Sequence, residues 1–362
     1  MNKIEIIEVF LNGNKVGRMA LTPDQLCAFE YNPEYLTYGN SISPFNLPLK
    51  SELFLAKHTP FNGNFGAFAD SLPDGWGSLI FDRYLKSKGI DPNRLTTLQR
   101  LALVGSTGRG ALEYRPDFSE STTNEIINFD HLASETQKIL ASTHPSDSLG
   151  TLYRYGGSPG GARPKVFVKS ENKEWLVKFK ALIDPDNIGQ VEFYYSVLAK
   201  KCGIKMHETK LFEGKYFGVE RFDRTITEKI HTVSAAGLLN ADYRIPCLDY
   251  LDLLNLCLIL TKNMTEVEAL FRVMVYNVLI KNRDDHAKNF SFQLIDDEWK
   301  LSPAYDLLPS SGFNGFHTTT VNNSGEPTVE DMLSVAEKAG LNRQWAKDTI
   351  HNISLIIKDS SI

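Results

Sequence analysis

One stretch of this chain leaves it few ways to fold. Residues 266–282 form a long, largely apolar run at helical spacing, with Thr265 and Glu268 placed as a capping box at its start. Directly after it comes Asp284-Asp285-His286-Ala287-Lys288-Asn289. Phe290–Leu294 then reads as a strand, Asp296–Glu298 as a turn and Trp299–Leu301 as the returning strand. A helix, a polar loop and a hairpin in that order bring Asp306, in the run PAYDLLP, back to the start of the polar loop.

The residue types in that loop suit one chemistry. Transfer of a phosphoryl group to a hydroxyl needs a carboxylate that orients the nucleophile and takes its proton, together with an amide and a second carboxylate that hold Mg2+ against the phosphates. Protein kinases space the first two as D-x-x-x-x-N, and Asp284 and Asn289 have that spacing. Asp284 is therefore the candidate base, with Asp285 a second choice, and Asn289 and Asp306 are the candidate metal ligands. Upstream pieces fit the same scheme. Lys178 lies in an alternating strand with Trp175 and Val177, from which a lysine reaches the α- and β-phosphates of ATP. Glu192 follows 14 residues later on a helix, where it can pair with Lys178. Gly156-Gly157-Ser158-Pro159-Gly160-Gly161-Ala162 offers backbone that can approach phosphates closely. Val219-Glu220-Arg221-Phe222 lies where a hinge would read adenine through backbone groups. Each feature is weak alone, and their common order carries the reading.

Composition limits the alternatives. A chain of 362 residues with 42% hydrophobic and 23% charged residues is ordinary globular material for two to three domains. The net charge of −5 gives no basic field for nucleic acid. Cys27, Cys202, Cys247 and Cys257 form neither a C-x-x-C pair nor a zinc-spaced group. The N-terminus lacks the apolar segment of a signal peptide, and Leu251–Leu260 is too short to span a bilayer, so a cytoplasmic protein with no membrane association is expected.

The pattern divides into a small N-terminal α/β module over 1–118, a linker and helix over 119–145, a β-rich region over 146–224 and a helical region over 225–362. Residues 4–10 and 15–21 read as a hairpin, 73–88 and 95–103 as helices, and Gly105–Gly110 as a turn. Residues 144–163 read as a Ser/Gly/Pro-rich stretch. The expected fold is α+β: a two-lobed protein-kinase-like arrangement, with the N-terminal module added and a mainly helical C-terminal lobe.

RDDHAKNFSF, VERFDR, GGSPGGARPK and PAYDLLP, together with SLPDGWG and GSTGRGALEY near the N-terminus, resemble the HipA family of toxin kinases. The resemblance implies an ATP-dependent serine/threonine protein kinase that uses Mg2+. In it Asp284 would be the base, and Asn289 and Asp306 the Mg2+ ligands. ATP contacts would come from Gly160, Gly161, Ala162, Lys178, His286 and Lys288, with Glu220 and Phe222 at the adenine and Asp223 at the ribose. Ser158 would be a self-phosphorylation site that silences the enzyme, since about two added negative charges sit badly beside bound ATP. It also implies a HipB-like helix-turn-helix antitoxin through which DNA is bound indirectly, and a protein substrate that is an aminoacyl-tRNA synthetase. A small-molecule phosphotransferase and an inactive co-repressor are the alternatives. Asp285 stands where HipA-like chains often carry glycine, and Lys288 lies four residues after Asp284 where ordinary protein kinases place it two after.

Overall fold

The computed structural model describes residues 3–120, 127–141, 149–156, 161–312 and 314–360. They form two compact units: residues 1–190 with 209–231, and residues 191–208 with 232–362. Ser158 and Gly160 lie outside the described residues.

The first unit holds two sheets. Strands β1 (Ile6–Leu11), β2 (Asn14–Leu21), β3 (Cys27–Tyr31), β4 (Phe54–Leu55) and β5 (Leu112–Arg115) make an antiparallel sheet in the order β4-β3-β2-β1-β5. Asn12 and Gly13 both take positive φ in the β1–β2 turn, which is why Asn-Gly serves there. Ile7, Val9, Val16, Met19 and Phe29 fill the core of this sheet. The short α1 (Gly66–Ala69), α2 (Gly75–Ser87) and α3 (Thr97–Val104) complete the module, and a Thr96–Gln99 capping box starts α3.

The second sheet of this unit contains β6 (Lys165–Ser170), β7 (Lys173–Lys178), β8 (Thr209–Phe212) and β9 (Tyr216–Glu220), in the order β6-β7-β9-β8. Its core is shared. Trp76, Ile80 and Phe81 of α2 pack in one cluster with Trp175 and Val177 of β7. Leu132 and Ile139 of α4 (Phe129–Ala141) and Leu152 of α5 (Leu149–Gly156) join the same cluster. At roughly 1.5–3 kcal/mol for each large side chain buried, this seam makes the N-terminal module and the β-rich region one body. Helix α5 falls within the stretch 144–163, which reads in sequence only as Ser/Gly/Pro-rich: Leu149, Leu152, Tyr153 and Tyr155 are buried, and Tyr153 stacks on Tyr84 at 4.1 Å.

The second unit includes nearly all of α6 (Ile188–Lys201), then α7 (Ala235–Leu239), α8 (Tyr250–Thr261), α9 (Met264–Ile280), α10 (Val329–Lys338) and α11 (Arg343–Ser360). Strands β10 (His231–Ser234), β12 (Ser291–Ile295) and β13 (Glu298–Leu301) form a sheet in the order β10-β12-β13, and β11 (Leu248–Asp249) pairs in parallel with β14 (Thr319–Thr320). The hairpin expected after the polar loop is β12–β13, with Asp296 and Asp297 at positive φ in its turn. The cap of α9 is corrected. Asn263, not Thr265, is its N-cap, and its side chain accepts from the Thr265 amide at 2.9 Å. An N-cap must sit outside the helix with extended backbone, and Thr265 is already inside the first turn. Cys27, Cys202 and Cys257 are buried and Cys247 is exposed. Among the described residues no helix is long and apolar enough to cross a membrane.

Candidate active site

In the second unit the loop after α9 sets two adjacent aspartates in opposite environments. Asp284 is exposed. Asp285 is fully buried, and its carboxylate accepts from the Tyr250 hydroxyl at 2.9 Å, the Thr318 amide at 2.9 Å and the Thr319 amide at 3.2 Å. His317 Nδ1 lies 2.8 Å from the same carboxylate. Burial, and then the charge of Asp285, push the Tyr250 phenol well above its usual range, so it stays a donor. A carboxylate with four partners in the interior anchors the loop and has no acceptor capacity aimed at a substrate. The one-residue step sends the Asp284 side chain the other way.

Asn289 and Asp306 are tied to this loop. Asn289 Nδ2 donates to the Asp284 carbonyl at 2.6 Å, which orients Oδ1 away as an unshared acceptor. Asp306 sits at φ +55°, a left-handed conformation that a non-glycine residue holds only when its surroundings impose it. Asn282 Nδ2 donates to the Asp306 carbonyl at 3.0 Å, and residue 310 pairs with the loop start through the Ser310 amide and the Lys281 carbonyl at 3.1 Å. The neighbouring Tyr305 hydroxyl donates to the Lys288 carbonyl at 2.6 Å and contacts Ser291 Oγ at 2.6 Å. Tyr305, Asn289, Asn282 and Asn277 line one cavity.

A buried polar chain runs beneath these groups. Asn277 Nδ2 donates to the Tyr250 hydroxyl at 3.0 Å, and Asn282 Nδ2 donates to Asn277 Oδ1 at 3.0 Å. Asp285, Tyr250, Asn277, Asn282 and the Asp306 carbonyl are thus linked in one line. Three of these five residues, Tyr250, Asn277 and Asn282, are absent from any reading of motif spacing. The available signal is Asn277 itself, a polar residue in the middle of an apolar helical run.

His286 and Lys288 have local roles. His286 Nδ1 accepts from the Lys288 amide at 3.3 Å, which leaves the imidazole proton on Nε2. The Lys288 ammonium lies 4.2 Å from the centre of the Tyr243 ring. Glu192 is buried on α6.

The first unit places the remaining candidates. Lys178 is half-buried at the end of β7, in register with Lys165 of β6, and its ammonium lies 5.6 Å from the Phe217 ring centre. Lys165 is itself buried, and was missed although it closes the GGARPK run; a Cβ on Gly161 would stand 2.7 Å from its Nζ. Glu220 pairs with Lys173 at 3.0 Å, and Arg109 lies over Phe222 at 5.9 Å. Ala162 is exposed.

Two of the expected ATP-contacting residues have partners within the protein. The Gly161 N–H donates to Asp74 Oδ1. The Asp223 carboxylate, expected at the ribose, is held by neighbouring side chains and backbone. It is buried, and it accepts from Arg221 Nε at 2.9 Å and Nη2 at 2.8 Å, from Arg224 Nη1 at 3.1 Å and from the Gly110 amide at 2.8 Å. Burial opposes its charge, but the Arg221 and Arg224 guanidinium groups hold the carboxyl well below the usual carboxylate range. Arg224 also donates to the carbonyls of Gly108 at 2.8 Å and Gly110 at 2.6 Å. The Gly105–Gly110 loop is a turn, and this cluster pins it.

Residues 7–115 match the HipA N-terminal domain, and residues 157–359 match the HipA-like C-terminal domain. A protein of Sinorhizobium fredii named "Putative kinase Y4dM" is 23% identical over 96% of this chain and 89% of its own length. A solved structure of the Shewanella oneidensis toxin–antitoxin system, HipA with HipB and its operator DNA, superposes with a TM-score of 0.74 at 19% identity, covering 98% of this chain and 89% of that one.

Proposed function

The chain belongs to the HipA family, and from that premise we propose that it is an ATP-dependent serine/threonine protein kinase of the toxin type, working in the cytoplasm. The observation that carries this reading is the loop at 284–289 with its tethered Asp306. An exposed carboxylate stands beside an amide oriented by the backbone of that same aspartate, and Asn282 ties the backbone carbonyl of a second aspartate, Asp306, to the start of the loop.

Asp284 takes the proton of the acceptor hydroxyl as that oxygen bonds to the γ-phosphorus, whose bond to the β,γ-bridging oxygen breaks so that ADP leaves. Asn289 Oδ1 and the Asp306 carboxylate are hard oxygen donors, and Mg2+ accepts one or two such protein ligands and fills its shell with water and phosphate oxygens. Its chemistry there is to neutralise charge on the phosphates. Lys178 binds the phosphates, with Glu192 as its proposed ion-pair partner. Glu220 and Phe222 serve the adenine, and His286 offers its Nε2 proton to the nucleotide. Ser158 is proposed as the self-phosphorylation site. A HipB-like antitoxin is the proposed partner, with DNA reached only through it; the solved HipA–HipB–operator assembly supports this. An aminoacyl-tRNA synthetase is the proposed substrate.

Incubation with γ-labelled ATP tests the reading. Label is expected on protein only when Mg2+ is present, and EDTA is expected to remove it. Lys178→Met is expected to raise the KM for ATP by about tenfold or more through loss of a charge-assisted phosphate contact. Label on small acceptors in place of protein would replace this reading with a small-molecule phosphotransferase. No ATP turnover would leave a binding protein alone.

A further inference from the structure

The N-terminal module grips the exit of the glycine-rich loop at two points on one residue. Gly161 donates its amide to Asp74 Oδ1, and its carbonyl accepts from the Trp76 amide at 3.1 Å. Asp74 is the N-cap of α2, and aspartate is among the best N-caps because its carboxylate ordinarily takes an amide of the first turn. Here it makes no cap hydrogen bond to its own helix. The carboxylate that would normally finish α2 is turned to a residue 87 positions away.

Gly75 makes the approach possible. It takes φ +45°, and a Cβ there would stand 2.5 Å from the Gly161 carbonyl oxygen and 3.0 Å from the Ala162 Cα. Backbone atoms cannot move aside as a flexible side chain can, so only glycine allows the contact. On the far side of the same exit, Arg163 makes a two-pronged pair with Asp184, at 2.9 and 3.0 Å. Asp184 also accepts from the Ala181 amide at 2.9 Å, in the segment that follows β7. The three residues 161–163 are therefore fixed from both directions just ahead of β6, whose Lys165 faces Lys178 across the β6–β7 pair.

We propose that Asp74 and Gly75 are positioning residues for nucleotide phosphates, so that the N-terminal module is a working part of the ATP site; this rests on the kinase reading given above. The module sets the height at which the glycine-rich segment enters β6, and with it the placement of Lys165 and of Lys178 paired with it across the strands. Asp74 acts through Gly161 and touches no substrate.

Asp74→Ala, Asp74→Asn and Gly75→Ala in the full chain test this. Asp74→Ala removes no cap bond, so α2 is expected to persist, checked by circular dichroism and thermal melting. Its KM for ATP is expected to rise about tenfold with a smaller change in kcat, since a carboxylate–amide bond that holds the loop exit is lost. Asp74→Asn keeps an acceptor oxygen and is expected to restore most of the KM. Gly75→Ala is expected to reproduce the defect from the other side. Hydrogen exchange of the peptide containing Gly161 supplies a readout that needs no activity: protection is expected in the wild type and in Asp74→Asn, and its loss in Asp74→Ala. Unchanged exchange in Asp74→Ala, or faster exchange with an unchanged KM, overturns the positioning role. A folded wild type that neither binds nor turns over ATP overturns the kinase reading itself, and is seen before any variant is compared.

Discussion

Asp284→Ala is expected to lower phosphoryl transfer by about 10²–10⁴-fold, the usual worth of a positioned general base, with stability within about 0.5 kcal/mol of wild type. Asp285→Ala is expected to do the reverse and cost stability first. Asp284 is exposed, and the bond that shapes the loop reaches its backbone carbonyl, which alanine retains. Asp285 is buried with the Tyr250 hydroxyl, two amides and His317 around it. Its removal leaves all four without their acceptor in the interior, at a cost of roughly 3–5 kcal/mol. Urea unfolding and labelled-ATP assays on the two variants separate the roles. Near-wild-type transfer by Asp284→Ala would remove it as the base, and wild-type stability in Asp285→Ala would remove the anchor. Asp306→Ala belongs with Asp284→Ala: transfer is expected to vanish, while Asn282 keeps its bond because that bond is to the backbone.

Much of this was visible in sequence because it depended on local periodicity. The α9–loop–β12–β13 order follows from an apolar helical run, a polar break and alternating strands, all short-range features. The same holds for the turn at Asn12-Gly13, where positive φ is needed and supplied. What stayed hidden depended on partners distant in the chain. Tyr250 and Asp285 are 35 residues apart, and Asp74 and Gly161 are 87 apart. No spacing rule links such pairs. Helix α5 was missed because eight residues between Ser- and Gly-rich flanks give barely two turns of pattern, and its helicity rests on packing against α2 rather than on propensity. Gly161 and Asp223 were assigned to the ligand by motif, and the motif gave no hint that their donor and acceptor atoms already had partners inside the protein.

Asp223→Ala is expected to destabilise the first unit by roughly 3 kcal/mol or more, since it leaves two guanidinium groups buried beside each other. Glu174 relieves part of this, as it stands 3.2 Å from Arg221 and 3.8 Å from Arg224. The pH dependence has a definite sign. The Asp223 carboxyl is held well below its unfolded value of about 4, so its contribution is complete above that pH and is lost as pH falls toward the depressed folded value. The stability gap between wild type and Asp223→Ala should therefore be constant near neutrality and narrow in acid, which urea unfolding at pH 7 and pH 3 would show. The pinned turn should loosen in the same variant, seen as faster hydrogen exchange at Gly110. A ribose contact predicts another pattern: a raised KM for ATP with stability and Gly110 protection unchanged. That pattern would assign Asp223 to the nucleotide and dismiss the buried cluster as its reason for being there.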